Sequence, residues 1–143
     1  MSATLIRDGA IVTVDDQFTI HQRGWIRVDH DRIVAMGAGD APVSARTNID
    51  IEIDAAGHAV MPGMTNGHTH LFQTFFRGLG DDKSLLDWLR DYIWPAASLM
   101  DADDARAAIT IGIIENLRTG ATTIIDHQYI HADPAFDDAV CDA

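Results

Sequence analysis

Cysteine is nearly absent. Cys141 stands alone among 143 residues, so no internal disulfide is available and a reducing cytoplasm is the expected location. Basic residues are scarce as well. Ten Lys and Arg face 22 Asp and Glu, a formal net charge of -12. Phosphate backbones are held by stripes of Lys and Arg, and no such stripe occurs here, which argues against a nucleic-acid partner. The plain reading of the acidity is solubility. The longest nearly apolar run is about six residues, far short of the ~20 a membrane helix needs, so no membrane partner is expected. No basic stretch leading into an apolar one follows Met1, and no secretory signal is expected. Repeats and low-complexity tracts are missing. What remains is an ordinary globular composition, 47% hydrophobic with mean hydropathy near zero.

Residues 1–60 read as short strands. Leu5–Ile6 leads to Asp8–Gly9, a pair that predicts a tight turn, and Ala10 to Val14 follows as the next strand. Gly24 to Val28 alternates apolar and polar, Asp29–His30–Asp31 turns, and Arg32 to Gly37 returns. A small, polar stretch with Pro42 covers 38–48 as a loop. Ile49 to Asp54 alternates strictly and predicts another half-buried strand. All the strands of this half are expected to pair antiparallel.

The second half changes period. Leu85, Leu86, Leu89, Tyr92 and Ile93 recur at helical spacing from Lys83 to about Leu99, with a break expected near Trp94 because Pro95 lacks an N–H. A clearer helix starts at Asp101, a good N-cap, with Asp103 and Asp104 in its first turn, and ends before Gly120. Its pattern includes Ala108, Ile111, Gly112, Ile114 and Leu117. Ala121 to Asp126 then predicts a buried strand. Strand, helix, strand is a βα layout, which implies a parallel sheet or barrel. The last residues, Asp142–Ala143, fall in the start of another helical stretch.

The segment Met61–Pro62–Gly63–Met64–Thr65–Asn66–Gly67–His68–Thr69–His70 carries the chemistry. Side chains two apart in a strand share a face, so His68 and His70 reach one metal ion together while Thr69 points away. Neutral imidazole suits Zn, Fe, Ni or Cu. A bare His-x-His is weak on its own, since two polar residues often end a strand.

Its context is more specific. Pro62–Gly63, Asn66, His68, His70 and Leu71 together resemble the first barrel strand of the amidohydrolase superfamily. The opening Leu5 to Gly9 and the Asp31 to Gly37 hairpin look like that family's small β-sandwich domain, and Thr119 to Thr123 resembles the lead into its second barrel strand. The resemblance implies an α/β fold: residues 1–60 form the N-terminal part of a composite β-sandwich, and residues 61–143 form the first βα units of a metal-dependent (β/α)8 TIM-like barrel. Barrel sites lie at the C-terminal ends of strands, where His68 and His70 fall. Such a barrel needs roughly 250 residues against 143 in all, so the barrel is expected to be truncated.

Asn66 stands where dihydropyrimidinase-like and dihydroorotase-like members usually have Asp. The runs His70 to Gln73, Arg77–Gly78, Trp88–Leu89 and Asp126 to Tyr129 are similar to 8-oxoguanine deaminases and triazine hydrolases. This resemblance implies one divalent metal ion, Zn or Fe, and a small heterocyclic substrate, purine- or triazine-like. Hydroxide on the metal would displace ammonia or chloride. Acid and base residues are expected on later strands, and a homo-oligomer is expected of the full-length parent. Within this frame Gln73 reads as a substrate contact through its amide or as a solvent-facing residue. Trp88 reads as a stacking wall or as core. His127 reads as pocket lining rather than a metal ligand. The alternatives are a non-catalytic or partner-binding fragment and a cyclic-amide hydrolase of the same superfamily. Asn66 speaks against the last.

Overall fold

In the computed structural model, which describes residues 2–131 and 134–142, the Asp8–Gly9 pair lies inside a strand. β1 (Ala3–Val12) runs straight through it. Asp8 takes a positive φ of 64°. Pairing with β2 (Ile20–Asp29) steps from Arg7 opposite Trp25 to Gly9 opposite Gly24. Two residues thus advance on β1 against one on β2, a β-bulge. The left-handed conformation that a short polar side chain tolerates serves a bulge as readily as a turn, and this corrects the expected hairpin. Guanidinium groups of Arg7 and Arg23 both reach the Asp8 carboxylate and hold its pKa below the usual value.

The chain divides into two units, residues 1–62 and 63–143. In the first, β2 turns through His30–Asp31 into β3 (Arg32–Ala38). A 3-10 turn, Val43–Arg46, leads to β4 (Ile51–Asp54) and β5 (Ala59–Val60). The sheet order is β3-β2-β1-β4, with β5 also on β1. Both β4 and β5 pair parallel with β1, which corrects the wholly antiparallel expectation. Leu5, Trp25, Ala41 and Ala45 form one buried cluster. Ile51 and Ile53 are 50% and 46% exposed, so β4 is not half-buried as its alternation suggests. No described element covers that row of side chains.

The second unit opens with β6 (Met64–Thr69), whose parallel partner is β7 (Ala121–Asp126). Gly63 permits their approach: a Cβ there would lie 1.9 Å from Thr122 Oγ1. Between the strands come a 3-10 helix (Leu71–Phe76), then α1 (Leu85–Trp88), a π-helical turn (Leu89–Ile93) and α2 (Trp94–Ala97). Pro95 sits in the first turn of α2, and the wide π turn before it absorbs the missing hydrogen bond, so the expected break is a change of helix type. α3 (Ala102–Arg118) carries a full capping box between Asp101 and Asp104. Its buried residues are Ala105, Ala108, Ile109 and Gly112, and the bare Gly112 lets Leu71 and Thr74 of the 3-10 segment come close. Ile111, Ile114 and Leu117 are exposed. β7 is largely exposed as well, contrary to the buried strand expected, because β6 is its one partner among the described residues. α4 (Pro134–Cys141) closes the unit and buries Phe136 and Ala139. The core joins these to Leu71, Phe72, Phe76, Ile93, Ala97, Ala105 and Ile109. Ala143 lies outside the described residues.

Candidate metal and substrate site

The site is built where β6 and β7 end side by side. His127 N–H donates to the Thr69 carbonyl at 2.9 Å, extending the pairing one step past both strands. The Asp126 carboxylate accepts Leu71 N–H at 2.8 Å through Oδ1, satisfying a free donor at the start of the 3-10 helix. Its Oδ2 is buried without a partner among the described residues. Asn66 ties β6 to α3 by donating to Asn116 Oδ1 at 2.8 Å, and its own Oδ1 accepts His68 N–H at 3.2 Å. The strand end that carries both histidines is therefore fixed from two sides.

His68 and His70 stand with ring centroids 4.9 Å apart in an edge-to-face arrangement, and His127 lies 5.2 Å from His70. His70 Nδ1 is 2.8 Å from the backbone carbonyl of His127. A carbonyl oxygen only accepts, so Nδ1 carries the proton. The neutral ring then keeps its lone pair on Nε2, the atom offered to a metal. This donor set fits a first-row divalent ion. Two imidazoles make half of a ligand sphere: among the described residues no group of three or more His, Cys, Asp or Glu is placed to hold an ion.

The five residues singled out from sequence, His68, His70, Gln73, Trp88 and His127, all line one cleft of about 580 Å³. Leu85, Leu89, Trp94 and Tyr129 complete its wall. Leu85 and Leu86 are 67% and 70% exposed and face outward, whereas Leu89 packs against the core. Trp88 is half-buried, and its indole N–H donates to the Leu79 carbonyl at 2.6 Å. With its donor thus used, the ring offers a face and not a hydrogen bond. Gln73 donates through Nε2 to the Tyr129 hydroxyl. Burial pushes the Tyr129 phenol above its ordinary value, and the bond from Gln73 offsets part of the rise. A second, more polar cleft of about 590 Å³ shares His70, Gln73, Leu85 and Trp88 and extends to Arg77 and Lys83. Arg77 is held there by a two-pronged pair with Glu115, at 2.8 and 2.6 Å.

Tyr129 and Trp94 are wall residues that patterning did not single out. The one available signal was Tyr129's place in the run from Asp126. His131 pairs with Asp137 at 2.9 Å, away from the cleft residues.

Comparison with known proteins gives a consistent set. The profile described as the Amidohydrolase family matches residues 59–143. A 5-methylthioadenosine/S-adenosylhomocysteine deaminase of Symbiobacterium thermophilum is 38% identical over 134 residues, which is 93% of this chain and 30% of that protein. A mutant of atrazine chlorohydrolase TrzN from Arthrobacter aurescens, complexed with zinc and atraton, superposes with a TM-score of 0.81 at 26% identity, over 97% of this chain and 32% of that one. An adenosine deaminase from Xanthomonas campestris with bound zinc superposes with a TM-score of 0.79 at 28% identity, over 99% and 32%. The chain thus spans about a third or less of the length of the proteins it matches.

Proposed function

This chain belongs to the amidohydrolase family, and on that premise we propose that it supplies two metal-ligating imidazoles, His68 and His70, and one wall of the substrate cleft of a heterocycle hydrolase. The reaction is hydrolytic removal of an amino group or chloride from a nitrogen-heterocycle carbon. A C–O bond to water's oxygen replaces the C–N or C–Cl bond, and ammonia or chloride leaves. The observation that carries this reading is the His70 Nδ1–H bond to the His127 carbonyl, which leaves Nε2 free beside the His68 ring at the mouth of a cleft with aromatic walls.

A bound divalent ion, Zn or Fe, supplies Lewis acidity that makes water a nucleophile near neutral pH. The chain's residues do the rest of the work assigned to this wall. Asp126 and Asn66 hold the strand end rigid. Trp88 offers a planar face to a planar ring, and Gln73 offers an amide to the ring's polar edge. His127 lines the mouth and lends its carbonyl, not its ring, to the metal ligand. Zinc in the chlorohydrolase and in the X. campestris deaminase structures supports that ion, and deaminase relatives support amine release over chloride release.

The test is turnover by the polypeptide that carries this sequence. Ammonia release from a guanine-like purine and chloride release from a chlorotriazine are followed with added zinc and again after chelation. Release that stops on chelation and in His68→Ala supports the reading. Release that survives both overturns it.

A further inference from the structure

Tyr129 joins the two halves of the site through one side chain. Its hydroxyl accepts from Gln73 Nε2. Its ring stands edge-on to His70 at 5.2 Å and to Phe72 at 5.0 Å, with His127 at 5.7 Å. Phe72 is fully buried, so the phenol ring leans on the core and not on another mobile group. Gln73 Oε1 takes no hydrogen bond from any described residue, and both side chains line the same cleft. A free glutamine amide has many rotamers to lose when a ligand orders it. One that is already tied through its nitrogen meets the ligand with its oxygen in place.

We propose that Tyr129 is a positioning residue that holds the metal-ligating His70 ring and the Gln73 carboxamide in register with each other. Its hydroxyl sets the amide, leaving Oε1 as a fixed acceptor for an exocyclic N–H of the heterocycle. Its ring, braced on Phe72, limits the swing of His70. Tyr129 acts through these two side chains, His70 and Gln73. The inference rests on the function proposed above in two respects: His70 is taken to ligate the ion and Gln73 to read the heterocycle.

The experiment compares Tyr129→Phe, Gln73→Ala and the double variant with the parent polypeptide, with three readouts. Proton NMR of the Gln73 side-chain amide reports the lock without any ligand. Calorimetry with a diaminotriazine probe reports heterocycle affinity, and calorimetry with zinc reports the imidazole pair. Tyr129→Phe keeps the ring, so it should move the Gln73 amide signals to free-glutamine positions and leave zinc affinity unchanged. It should weaken the probe about tenfold, the equivalent of one ordinary hydrogen bond. In the Gln73→Ala background it should weaken the probe no further. Unchanged amide signals in Tyr129→Phe, or penalties that simply add in the double variant, overturn the positioning role. A parent whose amide is locked but which binds no heterocycle overturns the proposed function and leaves the lock standing.

Discussion

The proton on His70 is placed by His127, whose backbone carbonyl lies 2.8 Å from Nδ1. The acceptor belongs to the main chain, so the tautomer of His70 is independent of the His127 side chain. β6 and β7 each end at the point where the other's last polar groups are needed, with His127 N–H on Thr69 and Asp126 on Leu71. A histidine ring oriented this way would lose little freedom on binding a metal ion.

Zinc binding separates these roles. His68→Ala and His70→Ala should each abolish the zinc heat measured by calorimetry while far-UV circular dichroism stays unchanged. His127→Ala should retain zinc binding, because the carbonyl survives the substitution. Loss of zinc in His127→Ala equal to that in His70→Ala would make His127 a ligand and reverse the assignment.

The close approach of the two parallel strands gives a sharp stability prediction. An alanine at 63 would place its Cβ 1.9 Å from Thr122 Oγ1, 2.3 Å from Cγ2 and 2.6 Å from Cβ. Gly63→Ala should therefore destabilise the unit by about 1–3 kcal/mol, the usual cost of overpacking, and lower the melting temperature. Adding Thr122→Ala should recover part of the loss and adding Thr122→Gly most of it, since the Thr122 Cβ is itself too close. Thermal melting of the three variants checks the order.

Local chemistry was legible in the sequence, and distant partners were not. The α3 N-cap needs Asp101 and its own first turn alone. The parallel pairing of β6 with β7 follows from a strand–helix–strand layout, with β6 starting and ending later, at Met64 and Thr69, than the 61–67 expected. His-x-His on one strand put His68 and His70 together. Asp8–Gly9 misled because a left-handed residue makes a bulge or a turn according to what the neighbouring strand does, and that strand lies 15 residues on at Arg23. The alternation of Ile51 and Ile53 states which residues share a face, not whether anything covers it. The bonds that shape the site, Asp126 to Leu71, Gln73 to Tyr129 and His70 to His127, span 55, 56 and 57 residues. No short pattern announces such pairs.

Acid should loosen the first unit partly through Asp8. Its carboxylate accepts from Arg23 first and from Arg7 second, and its folded pKa is depressed. A depressed carboxylate contributes stability above its ordinary range, near 4, and loses it as pH falls through the lower folded value. Asp8→Asn keeps a residue that tolerates the left-handed bulge and removes the charge. The variant should melt lower than the parent at pH 7, and the gap should narrow as pH drops below about 4. A gap that stays constant across that window would show that the two guanidinium contacts add nothing to the fold.

Gly80 holds the aromatic wall of the cleft. Its φ is +68°, and a Cβ there would meet Tyr92 Cδ2 and Cε2 at 2.9 Å and Trp88 Cδ1 at 3.1 Å. Gly80→Ala thus carries two costs, backbone strain of about 1–2 kcal/mol in the left-handed region and a push on two rings. Gly78 supplies the control: its φ is +83° with nothing within 4 Å of the added carbon. Gly78→Ala carries the strain without the push. Trp88 is pinned at the neighbouring ring atom, Nε1, by the Leu79 carbonyl, so a displaced indole must break that bond or tilt its face. Both variants should lose thermal stability, Gly80→Ala the more because it adds the clash to the strain. Gly80→Ala alone should also shift tryptophan emission and weaken binding of a planar diaminotriazine. Equal loss of probe affinity in both variants would mean that strain in the loop, not the position of Trp88, governs the wall.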